Sequence, residues 1–113
     1  MLDLFAGTGA FGIEALSRGA RSVIFVDVDS DSISVLRENI KTFSLESLTK
    51  IFRWNLSRNL KCLSSLPSAF NLIFMDPPYN KGYPEQVIGK PEFLDILAPG
   101  AIIIVEQSVK ESF

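Results

Sequence analysis

Residues 2–9 read Leu-Asp-Leu-Phe-Ala-Gly-Thr-Gly, an apolar strand that runs straight into a glycine-rich turn, and a helix-compatible run from Ala10 to Ser17 follows at once. A strand passing through such a turn into a helix is the opening unit of a parallel sheet, because a parallel neighbour is reached only by a crossover. The alternation continues to the end of the chain. Apolar, strand-like segments occur at Leu2 to Ala6, Ser22 to Val26, Lys50 to Trp54, Asn71 to Met75 and Ala101 to Glu106, each bounded by turn residues. Ala10 to Ser17 should stop at Gly19, and Asp31 to Lys41 should start from a cap at Asp29-Ser30. Arg58 to Ser65 reads as a short helix halted before Pro67, and Glu85 to Leu97 as a helix broken by Gly89 and Pro91. The expected fold is α/β, with five parallel strands, in a single domain over residues 1–113. No repeat or low-complexity tract marks a second domain.

Composition narrows the setting. Of 113 residues, 47% are hydrophobic and 21% charged, enough apolar side chain for one core. Cys62 is the only cysteine and no charged-then-apolar leader precedes the first strand, which points to a reducing, cytoplasmic environment. No apolar run reaches the roughly 20 residues of a membrane span, so no membrane partner is expected. The net charge of −2 lacks the cationic excess that usually accompanies phosphate binding, so an RNA substrate would have to be gripped largely by other means.

Gly7, Gly9 and Gly12 satisfy a G-x-G-x-x-G spacing between strand and helix, where the backbone can approach a ligand and the helix N-terminus can face it. In a site without a ligand, the same glycines would serve only a tight turn. Asp27 ends the next strand, where a carboxylate can accept both hydroxyls of a ribose lying over the strand ends, or can simply cap a turn. Asp27, Asp29, Asp31 and Glu38 also fall at four positions of a calcium loop. Ser32 stands where that loop needs glycine, and a strand precedes it, so calcium is rejected.

Asp76-Pro77-Pro78-Tyr79 follows the apolar run Leu72 to Met75. The string suits an exocyclic amine on an aromatic ring, whose lone pair is delocalised and must be drawn out of conjugation. The Asp76 carboxylate and the Pro77 carbonyl can each accept an N–H and steer the lone pair toward an electrophilic methyl group. Tyr79 can stack on the ring, and Pro77 and Pro78 stiffen the loop without adding competing amide donors. The chain contains no histidine, which removes the commonest general base and a common metal ligand; this chemistry needs neither, and no metal is expected.

Residues 2–20, Leu-Asp-Leu-Phe-Ala-Gly-Thr-Gly-Ala-Phe-Gly-Ile-Glu-Ala-Leu-Ser-Arg-Gly-Ala, followed by Asp76-Pro77-Pro78-Tyr79, resemble the bacterial 16S ribosomal RNA guanine-N2 methyltransferases over nearly the whole chain. The first motif is specific for that group and its close relatives, whereas the second is shared with adenine-N6 DNA methyltransferases. The resemblance implies a Rossmann-like class I methyltransferase core, a doubly wound parallel sheet of order 3-2-1-4-5 in three α/β/α layers. It implies S-adenosylmethionine as cofactor and 16S rRNA or the small ribosomal subunit as partner. It assigns the cofactor to Asp3, Phe5, Gly7, Thr8, Gly9, Asp27, Val28 and Asn55, with Asp3, Gly7 and Gly9 on its methionine part, Asp27 on the ribose and Asn55 on the adenine amine. It gives the target amine to Asp76, Pro77, Pro78 and Tyr79. Trp54 either flanks the adenine or packs beneath the sheet. Glu14 and Arg18 match the family's helix but are also spaced as an ordinary surface pair.

Relative to that family, segments before the first strand and after the fifth are missing, so the chain is expected to be a core incomplete at both ends, with independent activity in question. Competing readings are a DNA adenine-N6 methyltransferase, an inactive cofactor-binding module and, more distantly, a nicotinamide enzyme.

Overall fold

The computed structural model describes residues 1–56, 61, 63, 70–76 and 87–106. Among these, the strands are β1 (Leu2–Leu4), β2 (Val23–Asp27), β3 (Thr49–Arg53), β4 (Phe70–Met75) and β5 (Leu97–Val105), and the helices are α1 (Ala10–Ser17), α2 (Ser30–Thr42) and α3 (Pro91–Leu94). All strand pairs are parallel, in the order β3-β2-β1-β4-β5. The chain therefore builds outward from β1 through β2 to β3, then returns to the other side of β1 to lay down β4 and β5. That reversal opens a crevice between β1 and β4 at their carboxyl ends, the place where such sheets bind ligands.

Side-chain alternation along the strands divides the core. On one face Val23, Phe25, Leu16, Leu36 and Ile40 join β2 to α1 and α2. On the other, Leu2, Leu4, Ile24, Val26, Ile73 and Met75 pack with Val87, Phe93 and Ile96 around α3. Helices thus cover both faces, as the three-layer expectation requires. Burial of each large side chain in these clusters contributes roughly 1.5–3 kcal/mol.

Local signals set the helix ends. The Asp29 side chain accepts from the amides of Asp31 and Ser32 and from the Ser32 hydroxyl, the last at 2.7 Å, so it caps α2. At the end of α1, Gly19 takes a left-handed φ of 107°, its amide donates to the Leu16 carbonyl, and the Ala20 amide donates to the Ala15 carbonyl. This pair of bonds satisfies carbonyls that the helix leaves free. Gly89 and Pro91 do break the segment before β5: Lys90 takes the N-cap position of α3 without a side-chain bond, and Pro91 occupies its first turn, where a missing amide costs nothing.

β5 starts at Leu97, earlier than the expected Ala101. Phe70 pairs with Leu97 but Leu72 pairs with Ile102, so Ala98-Pro99-Gly100 lie in a bulge. There Pro99 needs no ladder donor, and Gly100 supplies a φ of 76°. β5 ends the described sheet with Ile102 61% and Ile104 40% exposed. Most of the helix expected over Arg58 to Ser65 lies outside the described residues.

Candidate active site

The turn after β1 is built on three left-handed residues, Phe5 (φ 61°), Gly7 (φ 58°) and Gly9 (φ 82°). A left-handed Phe costs on the order of 1–2 kcal/mol. Hydrogen bonds hold the turn in shape: the Ala6 amide donates to the Val26 carbonyl at 3.0 Å, and the Gly9 amide to the Ala6 carbonyl at 2.9 Å. The three fingerprint glycines differ in what surrounds them. A Cβ on Gly9 would run into Leu36 of α2, and one on Gly12 would run into the Phe25 ring, so these two let the helices pack closely. A Cβ on Gly7 would meet nothing within 4 Å among the described residues. Gly7 therefore borders open space at the strand ends.

Asp27 ties two turns together. One carboxylate oxygen accepts from the Gly7 amide at 2.6 Å, and the other from the amides of Val28 at 2.7 Å and Asp29 at 2.9 Å. The exposed Val28 offers its carbonyl to the Arg53 guanidinium at 3.1 Å, and the Thr8 carbonyl accepts from the Asn39 side chain of α2 at 3.2 Å. The Trp54 amide donates to the Asp27 carbonyl, extending the ladder and setting the half-buried Asn55 just beyond β3. The Trp54 side chain packs against the cluster on the α3 face, beneath the sheet.

Asp3 is the anomaly. It lies in the central strand, 1% exposed, and neither carboxylate oxygen has a hydrogen-bond partner among the described residues. Its register neighbours are Phe25 on β2 and Phe74 on β4. Burial pushes its pKa from 3.8 up to about 7; the Asp27 and Asp76 carboxylates add to the rise, and the nearby Gly12 amide opposes it without reaching bonding geometry. The row Leu4, Val26, Met75 places Asp27 and Asp76 at the same level, one residue beyond it. Asp3, Asp27 and Asp76 therefore face one crevice from three adjacent strands. Among the described residues no group of acidic, His or Cys side chains is placed to hold a metal ion.

Sequence reasoning missed the wall beside this crevice. Phe11, on the first turn of α1, stacks on Phe74 with ring centroids 3.7 Å apart and planes within 4°. Phe74 precedes Asp76 by two residues, so strand alternation could have placed both on one face. Of the expected amine-binding string, only Asp76 lies within the described residues, exposed at the end of β4; Pro77, Pro78 and Tyr79 lie outside them. Glu14 and Arg18 form an exposed pair at 2.7 Å, away from the crevice.

A parallel sheet of this order, covered by helices on both faces and carrying its glycine turn and carboxylates at the switch point, is the class I S-adenosylmethionine-dependent methyltransferase fold. The chain belongs to the family described as conserved hypothetical protein 95, whose model matches residues 1–113. It is 35% identical over 106 residues to ribosomal RNA small subunit methyltransferase D of Haemophilus influenzae, covering 93% of this chain and 54% of that one. Against the protein of the same name from Buchnera aphidicola it is 33% identical over 111 residues, covering 98% and 56%. A solved structure, a conserved hypothetical protein from Streptococcus pyogenes, superposes with a TM-score of 0.77 at 28% identity, covering 94% of this chain and 64% of that one. The resemblance drawn from the motifs is borne out. The chain spans about half the length of these two methyltransferase relatives.

Proposed function

We propose that this chain is the core of an S-adenosylmethionine-dependent methyltransferase that acts on the exocyclic N2 amine of a guanine in 16S rRNA. The observation that carries this reading is Asp3: a buried carboxylate without a hydrogen-bond partner among the described residues, facing two further carboxylates, suits a ligand bearing positive charge. S-adenosylmethionine brings two cationic centres, an ammonium and the sulfonium whose methyl group is the electrophile. Names of relatives supply the RNA class.

In this reading Asp3 faces the ammonium, and the open space at Gly7 admits the methionine part against the turn formed by Phe5, Thr8 and Gly9. Asp27 accepts a ribose hydroxyl through the one lone-pair site its three amides leave unused, beside Val28. Asn55 accepts the adenine amine. Asp76 and the Pro77 carbonyl accept the two N–H groups of guanine N2, Pro78 stiffens that loop, and Tyr79 stacks the base. Because the amine needs orientation rather than deprotonation before attack, Asp76 works as an acceptor, and the proton leaves to solvent afterwards.

The test is transfer of labelled methyl to 16S rRNA, naked or in the small subunit, by the 113-residue chain and by a chimera carrying it in place of the matching segment of the Haemophilus influenzae relative. N2-methylguanine lost on Asp76→Ala, with S-adenosylhomocysteine affinity unchanged, supports the reading. Methylation of DNA adenine instead, or no turnover by a chimera that binds cofactor, overturns it.

A further inference from the structure

A cleft of about 540 Å³ lies away from the strand ends, along β3 at the edge of the sheet. Its helix side is formed by Arg37, Ile40 and Lys41, positions i, i+3 and i+4 on one face of α2. Its strand side is formed by the four consecutive residues Thr49, Lys50, Ile51 and Phe52, all of which line it because β3 has no outer neighbour among the described strands. Ile40, Ile51 and Phe52 give it an apolar floor, while Arg37, Lys41 and Lys50 bring three cations against the single carboxylate of Glu46.

This is a local inversion of charge in a chain whose net charge is −2. None of the three cations forms an ion pair with a described residue, although Glu46 lines the same cleft. Three unpaired cations beside an apolar floor present what phosphodiesters require, with room for a sugar or base between the charges. β3 lies three strand positions from β4, about 14 Å across the sheet, and Lys50 sits three residues below the level of Asp27 and Asp76, about 10 Å along the strand, so several nucleotides would join this cleft to an amine held at Asp76.

We propose that the cleft between α2 and β3 is a second RNA contact, in which Arg37, Lys41 and Lys50 bind backbone phosphates flanking the target nucleotide. The proposal rests on the RNA-directed reading above and deepens it, because it supplies a grip that the overall composition lacks. Contacts of this kind position the RNA and carry no base specificity.

The experiment is fluorescence anisotropy with a labelled 16S rRNA fragment, titrated with the 113-residue chain at increasing salt. Arg37→Gln/Lys41→Gln/Lys50→Gln should lower affinity at least tenfold at low salt and reduce the slope of log affinity against log salt by about 2, at roughly 0.7 per lost phosphate contact. Arg18→Gln/Arg21→Gln/Lys90→Gln removes the same charge elsewhere and should leave affinity within about twofold and the slope unchanged. S-adenosylhomocysteine binding reports that each variant is folded, and should be equal in all of them. Equal losses in the two triple variants, or no RNA binding by the parent chain, would overturn the cleft as an RNA site. Those failures leave cofactor binding and Asp76-dependent methyl transfer untouched, so the cleft and the methyltransferase reading fall separately.

Discussion

Asp3 and Asp27 are the same residue type on adjacent strands, one buried in β1 and the other at the end of β2, and the fold treats them in opposite ways. Asp27 is well satisfied, with amides from Gly7, Val28 and Asp29 gathered on its two oxygens. Asp3 is buried deeper and has no hydrogen-bond partner among the described residues. A carboxylate satisfied by its own backbone contributes to the shape of the site before any ligand arrives. One left unsatisfied weakens the empty fold, and ligand binding is where that cost is recovered.

The largest effect expected from this contrast is on Asp3→Asn. With a folded pKa of about 7 against an ordinary 3.8, Asp3 holds its proton more tightly in the folded chain than in the unfolded one. Its burial is therefore harmless below about pH 4, becomes destabilising as pH rises, and reaches its full cost above about pH 7. Asp3→Asn should exceed the parent in stability by on the order of 4 kcal/mol at about pH 8, with the gap closing toward pH 4. Chemical denaturation across pH measures this, and a gap independent of pH would remove the contrast.

Asp27→Ala should act in the other direction, costing about 2 kcal/mol as three amide donors lose their acceptor. Because the same carboxylate fixes the Gly7 turn, weaker cofactor binding alone would not prove a ribose contact. The ribose role predicts a larger loss for S-adenosylhomocysteine than for its 2′-deoxy analogue, and equal losses would assign Asp27 to the turn only.

The glycines extend the comparison on a smaller scale. Gly9→Ala should cost about 1–3 kcal/mol through overpacking against Leu36, with partial recovery in Leu36→Val. Gly7→Ala should cost about 1 kcal/mol from its left-handed φ, yet weaken cofactor binding more than Gly9→Ala does. Thermal unfolding combined with ligand titration separates the two, and a reversed order would contradict the open-space role of Gly7. Smallest of all, Glu14→Gln should change stability by no more than about 0.5 kcal/mol and leave cofactor binding unaltered, since its pair with Arg18 is fully solvated.

Much of this architecture was legible in the sequence because its signals are local. The alternation of apolar runs and turns located the strands, and Asp29 and Gly19 marked helix ends by short-range bonds. The early start of β5 was hidden because Pro99 and Gly100 read as a break, whereas the sheet absorbs them as a bulge against Phe70 to Leu72. Motif matching chose Asp3 and Asp27, but it could not show that one has no hydrogen-bond partner among the described residues while the other already holds three amides, since that depends on pairing across strands. The Phe11–Phe74 stack escaped for the same reason, joining residues 63 positions apart. The cleft over β3 was invisible in overall charge, because Arg37, Lys41 and Lys50 meet only once α2 lies against the edge strand.

The most direct test of the account is calorimetric titration of S-adenosylhomocysteine, with NAD as control, from about pH 6 to about pH 8 in buffers of different ionisation enthalpy. Selective binding that releases a proton near pH 7, with the release abolished in Asp3→Asn, is the predicted result, because the ammonium draws the Asp3 carboxyl into its charged form. Equal affinity and equal proton release in Asp3→Asn, or no binding by a folded chain, would contradict it.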